Sequence, residues 1–213
     1  MPLSRPARLF FALTAATAFV GLIVQLFATA DLDTGFFDTS WKRVLNVFCF
    51  FTIQSNIIVG VTTLFLAAGW ARPTLFFRTL RLIGVVGISV TFVVFQVALR
   101  SLQDLTGQAA FADFMLHTAC PVLCVAGWLW FGPRGQTSAR VALWTLAFPA
   151  IWGVFTLIRG EMIGFYPYPF INAQEHGYAR IGVNLLVISA VFAGLSFGAH
   201  LLDPKLPKSG HGR

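Results

Sequence analysis

Charge is what this chain has least of. Asp, Glu, Lys and Arg make up 11% of its 213 residues, less than half the roughly 25% usual in soluble domains, while 57% are apolar and the mean hydropathy is +0.76. Too few charges remain to clothe a solvated surface, so the chain reads as an integral membrane protein. Cysteine is nearly as scarce. Cys49, Cys120 and Cys124 all fall inside apolar runs, which argues against a disulfide framework and leaves too few ligands beside His117 for a metal centre. Phosphate-cradling glycine loops are absent, and no carboxylate falls at the middle of an apolar run, as proton-coupled transporters require. The net charge of +7 does not indicate nucleic acid, because the basic residues are scattered between apolar runs and form no continuous patch. No cofactor is implied.

What is there is a series of apolar runs of roughly 17 to 25 residues, the length of a helix that crosses about 30 Å of hydrocarbon. They cover residues 9–30, 44–68, 82–99, 111–131, 141–158 and 181–202. The pattern predicts a single all-α domain, a polytopic bundle of six transmembrane helices, ending in a polar tail over 203–213. If the first run enters from the cytoplasm, Arg5, Arg8, Arg72, Arg78, Arg81, Arg134, Arg140, Lys205, Lys208 and Arg213 lie inside, and only Lys42, Arg43, Arg100, Arg159 and Arg180 outside. That excess sets both termini in the cytoplasm by the positive-inside rule. The first run is longer than the roughly 7 to 15 apolar residues of a signal peptide and contains Gln25, so it is expected to be retained despite Ala28-Thr29-Ala30. Two local expectations follow. Ala190, Gly194 and Gly198, at four-residue spacing, form a stripe that lets a neighbouring backbone come close. Tyr166-Pro167-Tyr168-Pro169-Phe170 reads as a kinked segment of the aromatic belt at the membrane interface.

Polar residues inside the runs carry the functional argument. Phe50 to Asn56, FFTIQSN, places Thr52, Gln54, Ser55 and Asn56 in hydrocarbon, where an unpaired polar group costs roughly 2 to 7 kcal/mol. Counting 1.5 Å per helical residue from the outer end of each run puts Thr52 roughly 12 Å deep and His117 about 9 Å deep. At that shared level His117 could act as the base that makes the weakly nucleophilic Thr52 hydroxyl reactive. Ser55 and Asn56 share the face of Thr52, and Asn56 is a candidate oxyanion donor. Asn46, Gln96, Asn184 and Arg159 are further outer-half polar groups that could converge on the site, the last three as substrate-binding candidates. Each residue also has a structural reading: a membrane-helix hydroxyl commonly bonds the carbonyl four residues back, and Gln54, Asn56 and His117 could serve as interhelical hydrogen-bond glue.

Three stretches resemble a known family. WKRVLNVFCFFTIQSN is similar to the opening of the second span in the androgen-induced membrane protein family, FMLHTACPVL to its His-Thr-x-x-Pro region, and YPYPF to its aromatic-proline segment. With FGPRG added, the pattern resembles the bacterial Pr-six-Pr branch of integral membrane proteins more closely still. The resemblance implies a six-span threonine hydrolase of fatty acid esters of hydroxy fatty acids in the bacterial inner membrane, with the nucleophile on Thr52 and the histidine on His117. The expected partner is then a membrane lipid or fatty acid ester. The alternative from a different class is a non-enzymatic protein that binds lipid or transports a small molecule by way of the same outer-half cavity.

Overall fold

The computed structural model describes residues 3–33, 35–102 and 104–207. Among them every regular element is helical, and six helices are long and apolar enough to cross a membrane: Arg5–Ala30, Phe51–Ala68, Leu75–Leu102, Gly107–Phe131, Ala139–Ile163 and Tyr178–Lys205. Local chemistry sets their ends. Ser4 caps the first helix, α1 (Arg5–Ala30), by accepting from the Ala7 amide at 3.4 Å. Gly69 and Gly164 stop the second and fifth spans with φ of 76° and 73°, a left-handed conformation that a Cβ disfavours.

The second span departs from the expected continuous run over 44–68. A short helix, α2 (Ser40–Val47), ends before α3 (Phe51–Ala68) begins. No proline or glycine marks the break. It persists because its free carbonyls find partners: Gln54 Nε2 donates to Phe48 O at 3.0 Å, and Trp152 Nε1 donates to Cys49 O at 2.9 Å. Gln54 is therefore neither buried glue nor a site residue; it holds the break that precedes α3.

The first three spans pack in chain order, α1 against α3 and α3 against α4 (Leu75–Val94), and the fourth returns to pack on α1 and α4. The first and last described residues gather at one end of the bundle. Leu3 and Phe131 pack against the same buried cluster of Ala7, Phe11, Leu66 and Phe77, and Arg134 Nε donates to Pro207 O at 3.1 Å. The expected polar tail over 203–213 is only partly that. Asp203–Lys205 extends the last helix, and Asp203 is 1% exposed, accepting from Gly135 N at 2.8 Å and Thr137 Oγ1 at 2.9 Å. It clamps the Gly132–Gln136 turn, and residues 208–213 lie outside the described region. The stripe of Ala190, Gly194 and Gly198 faces out of the bundle, since a Cβ on either glycine would meet nothing within 4 Å.

The aromatic-proline segment is the largest departure. It does not lie along the surface but folds into the end of the bundle away from the termini, as a strap between the helix Ala147–Ile163 and the last span. Tyr168 and Ile171 are buried at 8% and 1% exposure, and Tyr168 is ringed by Phe50, Trp152 and Phe170 with centroids 5.3 to 5.9 Å away. Asn184 fastens the strap by donating from Nδ2 to Phe170 O at 2.7 Å.

Candidate functional site

Beneath the strap lies a half-open cavity of about 1210 Å³, larger than the roughly 300 to 1,000 Å³ of ordinary small-molecule pockets. Thr52, His117, Asp113, Phe95 and Tyr168 all contribute to its wall. Two backbone irregularities put them there.

The first is the break before α3. It makes Thr52 the second residue of a new helix, so its depth cannot be counted along a continuous run from residue 44. Thr52 also has no helical turn behind it to supply the carbonyl four residues back, and its hydroxyl does not bond one. Its Oγ1 and its amide nitrogen each lie 3.2 Å from Tyr168 Oη. The positive end of the α3 dipole points to the same spot.

The second irregularity is a π-helical turn at Met115–Ala119 in the fourth span. Its cause is legible: Pro121 has no N–H to give His117 O four residues earlier, and its ring would crowd that carbonyl. The Cys120 amide bonds Met115 O instead. Leu116 O thereby loses its helical partner, and Asn56 Nδ2 answers it at 3.2 Å while donating to Thr52 O at 2.9 Å. One amide nitrogen thus ties the start of α3 to the residue beside His117. The shared level of Thr52 and His117 rests on this brace rather than on depth counting. A second π turn, Phe95–Leu99, abuts the first. Phe95 stacks on His117 with centroids 4.1 Å apart and 9° between planes, which fixes the imidazole plane. Such π turns recur at functional sites because they re-aim a side chain out of helical register.

His117 Nδ1 lies 2.9 Å from Asp113 Oδ1, an ion-pair distance without the alignment of a formed hydrogen bond. The contact directs the other ring nitrogen away from Asp113. The fourth span starts at Gly107, before the expected residue 111, so the Asp113 carboxylate sits inside the span and not at its outer end. Its four-residue spacing from His117 was the available signal. Tyr168 gave no such signal, because nothing in YPYPF says that one tyrosine turns inward.

Among the candidates from the sequence, Thr52, His117 and Asn46 line the cavity. Ser55 is fully buried against Gly87, where an added Cβ would stand 3.0 Å from its Oγ. Asn56 spends both amide hydrogens on carbonyls and has none for an oxyanion. Gln96 links Thr118 at 3.4 Å with Arg100 at 2.9 Å, and Asn184 holds the strap. Arg159 donates to Asn46 Oδ1 at 2.8 Å, with its guanidinium 5.8 and 5.5 Å from the ring centroids of Phe37 and Phe165. These residues position the site's walls. Among the described residues no hydrogen bond joins Thr52 to His117. No family model, no curated protein and no solved structure matches the chain.

Proposed function

We propose that the protein is an intramembrane lipid hydrolase in which Thr52 attacks a fatty acyl ester and His117 is the base. The observation that supports this best is the placement of a threonine hydroxyl at a helix N-terminus and a carboxylate-paired histidine on one cavity wall, cross-braced by Asn56. The parts match those of activated-nucleophile hydrolysis: nucleophile, base and a third group that orients the base. The cavity volume suits a long acyl chain, and the resemblance of FFTIQSN and FMLHTACPVL to threonine hydrolases of fatty acid esters of hydroxy fatty acids points the same way. Arg8, Arg78, Arg81 and Arg134, at the end where the termini gather, favour a cytoplasmic placement of that end. The cavity would then face the outer side of a bacterial inner membrane and admit lipid sideways from the bilayer.

The test is a fluorophosphonate probe on the detergent-solubilised protein. Peptide mapping should find the phosphonyl adduct on Thr52, and an adduct elsewhere or no labelling would sink the proposal. Asp113→Asn should keep the adduct site but lower ester turnover about a hundredfold or more, because the imidazole loses the charge that orients and stabilises it. Wild-type turnover in that variant would remove Asp113 from the machinery.

One observation favours a second reading. The Thr52 hydroxyl is engaged with Tyr168 and not with His117, as in a protein that only binds lipid. That reading expects co-purified ester lipid recovered intact, with no turnover. Catalytic hydrogen bonds, however, often tighten only when substrate arrives.

A further inference from the structure

Acyl transfer at Thr52 needs a donor for the negative charge that develops on the carbonyl oxygen, and Asn56 is already committed. Tyr168 is the group whose geometry fits. Its Oη accepts the Thr52 amide at 3.2 Å, which occupies a phenol lone pair and leaves the phenol proton to be given away. Among the described residues Thr52 Oγ1, also at 3.2 Å, is the one acceptor Tyr168 Oη meets. In a tetrahedral adduct on Thr52 the oxyanion is bonded to the same carbon as Oγ1. A donor this close to Oγ1 therefore reaches the position where the oxyanion forms, which is the requirement for an oxyanion hole.

We infer that Tyr168 is the oxyanion donor of this site, its hydroxyl turning from Thr52 Oγ1 to the substrate oxygen as the adduct forms. The assignment rests on the hydrolase reading above. In the step, Thr52 Oγ1 bonds the acyl carbon and its proton passes to His117. The carbonyl π pair moves onto oxygen, where the Tyr168 O–H donates a hydrogen bond and keeps its proton. Collapse restores the C=O and breaks the bond to the alkyl oxygen, which leaves with the proton from His117. Water, activated by His117, then repeats the sequence to release the fatty acid from Thr52. Two features suit Tyr168 to this work. Burial pushes its phenol above the ordinary range, although hydrogen bonding with Thr52 pulls the other way, so it remains a donor at neutral pH. The aromatic cage of Phe50, Trp152 and Phe170 holds the ring, so the donor is preorganised rather than recruited.

The experiment compares p-nitrophenyl decanoate with its thiono analogue, in which sulfur replaces the carbonyl oxygen and accepts hydrogen bonds poorly, using the full chain in detergent micelles. Tyr168→Phe should lower oxygen-ester turnover by roughly 10²- to 10³-fold. It should lower thionoester turnover far less, so that the oxygen-to-sulfur rate ratio falls. Because the ratio is taken within one preparation, partial misfolding of the variant does not move it. An unchanged ratio, or equal loss on both substrates in a variant with wild-type thermal unfolding, would overturn the assignment. Thr52→Ala and His117→Ala run alongside separate the two claims. If they keep wild-type turnover, the hydrolase reading itself falls; if they lose it while the Tyr168→Phe ratio stays at the wild-type value, only the role of Tyr168 falls.

Discussion

Thr52→Ala and His117→Ala each bring ester turnover close to background, a loss on the order of a millionfold if they act as one unit, and the double variant is no worse than either single one. Non-additivity is the informative part. A nucleophile without its base and a base without its nucleophile are equally idle, whereas two residues that merely shape a cavity would lose activity in separate, multiplying increments. Thr52→Ser sharpens the test by keeping the hydroxyl at the start of α3 while removing the methyl, and it should retain measurable turnover. Initial rates on a chromogenic medium-chain ester, with thermal unfolding in the same detergent as a control for folding, are sufficient. Multiplying losses, or Thr52→Ala with wild-type rates, would leave the cavity as a lipid-binding site.

The spans were legible in the sequence because crossing hydrocarbon demands about 20 consecutive apolar residues whatever the tertiary context. The interruption at residues 48–50 was not. It contains no helix breaker, and the hydrogen bonds that sustain it come from Gln54 and, from far along the chain, Trp152. Missing it displaced the depth of Thr52, yet Thr52 and His117 still share a wall, because Asn56 spans the two segments. The polar streak of FFTIQSN proved to be divided labour: Gln54 for the break, Thr52 for the cavity, Asn56 for the brace, and Ser55 set against Gly87. The π turn at His117 was legible in principle from Pro121 four residues on. Tyr168 was not, because aromatic residues beside prolines look alike whether they float at the interface or plug a bundle. Position on the strap decides that, and the strap's course depends on Gly160.

Gly160→Ala is the second substitution with a large expected effect, and intrinsic propensity gives it the wrong sign. Within the Ala147–Ile163 helix an alanine should gain up to about 1 kcal/mol over glycine. At Gly160, however, a Cβ would fall inside the van der Waals envelope of three carbons of the Tyr166 ring. Overpacking of this kind typically costs about 1 to 3 kcal/mol, and the ring cannot slide aside freely, because Tyr166 packs against the core beside Trp152 and Tyr168. Either the strap lifts or the helix bearing Gly160 shifts, and Tyr168, two residues beyond Tyr166, leaves Thr52 in both cases. The variant should therefore unfold at a lower temperature than wild type and should also share the Tyr168→Phe phenotype, a fall in oxygen-ester turnover with little change on the thionoester. A helix-propensity effect alone would raise the unfolding temperature and leave turnover intact. That result would mean the strap does not depend on its seat at Gly160, and that Tyr168 reaches Thr52 by some other constraint.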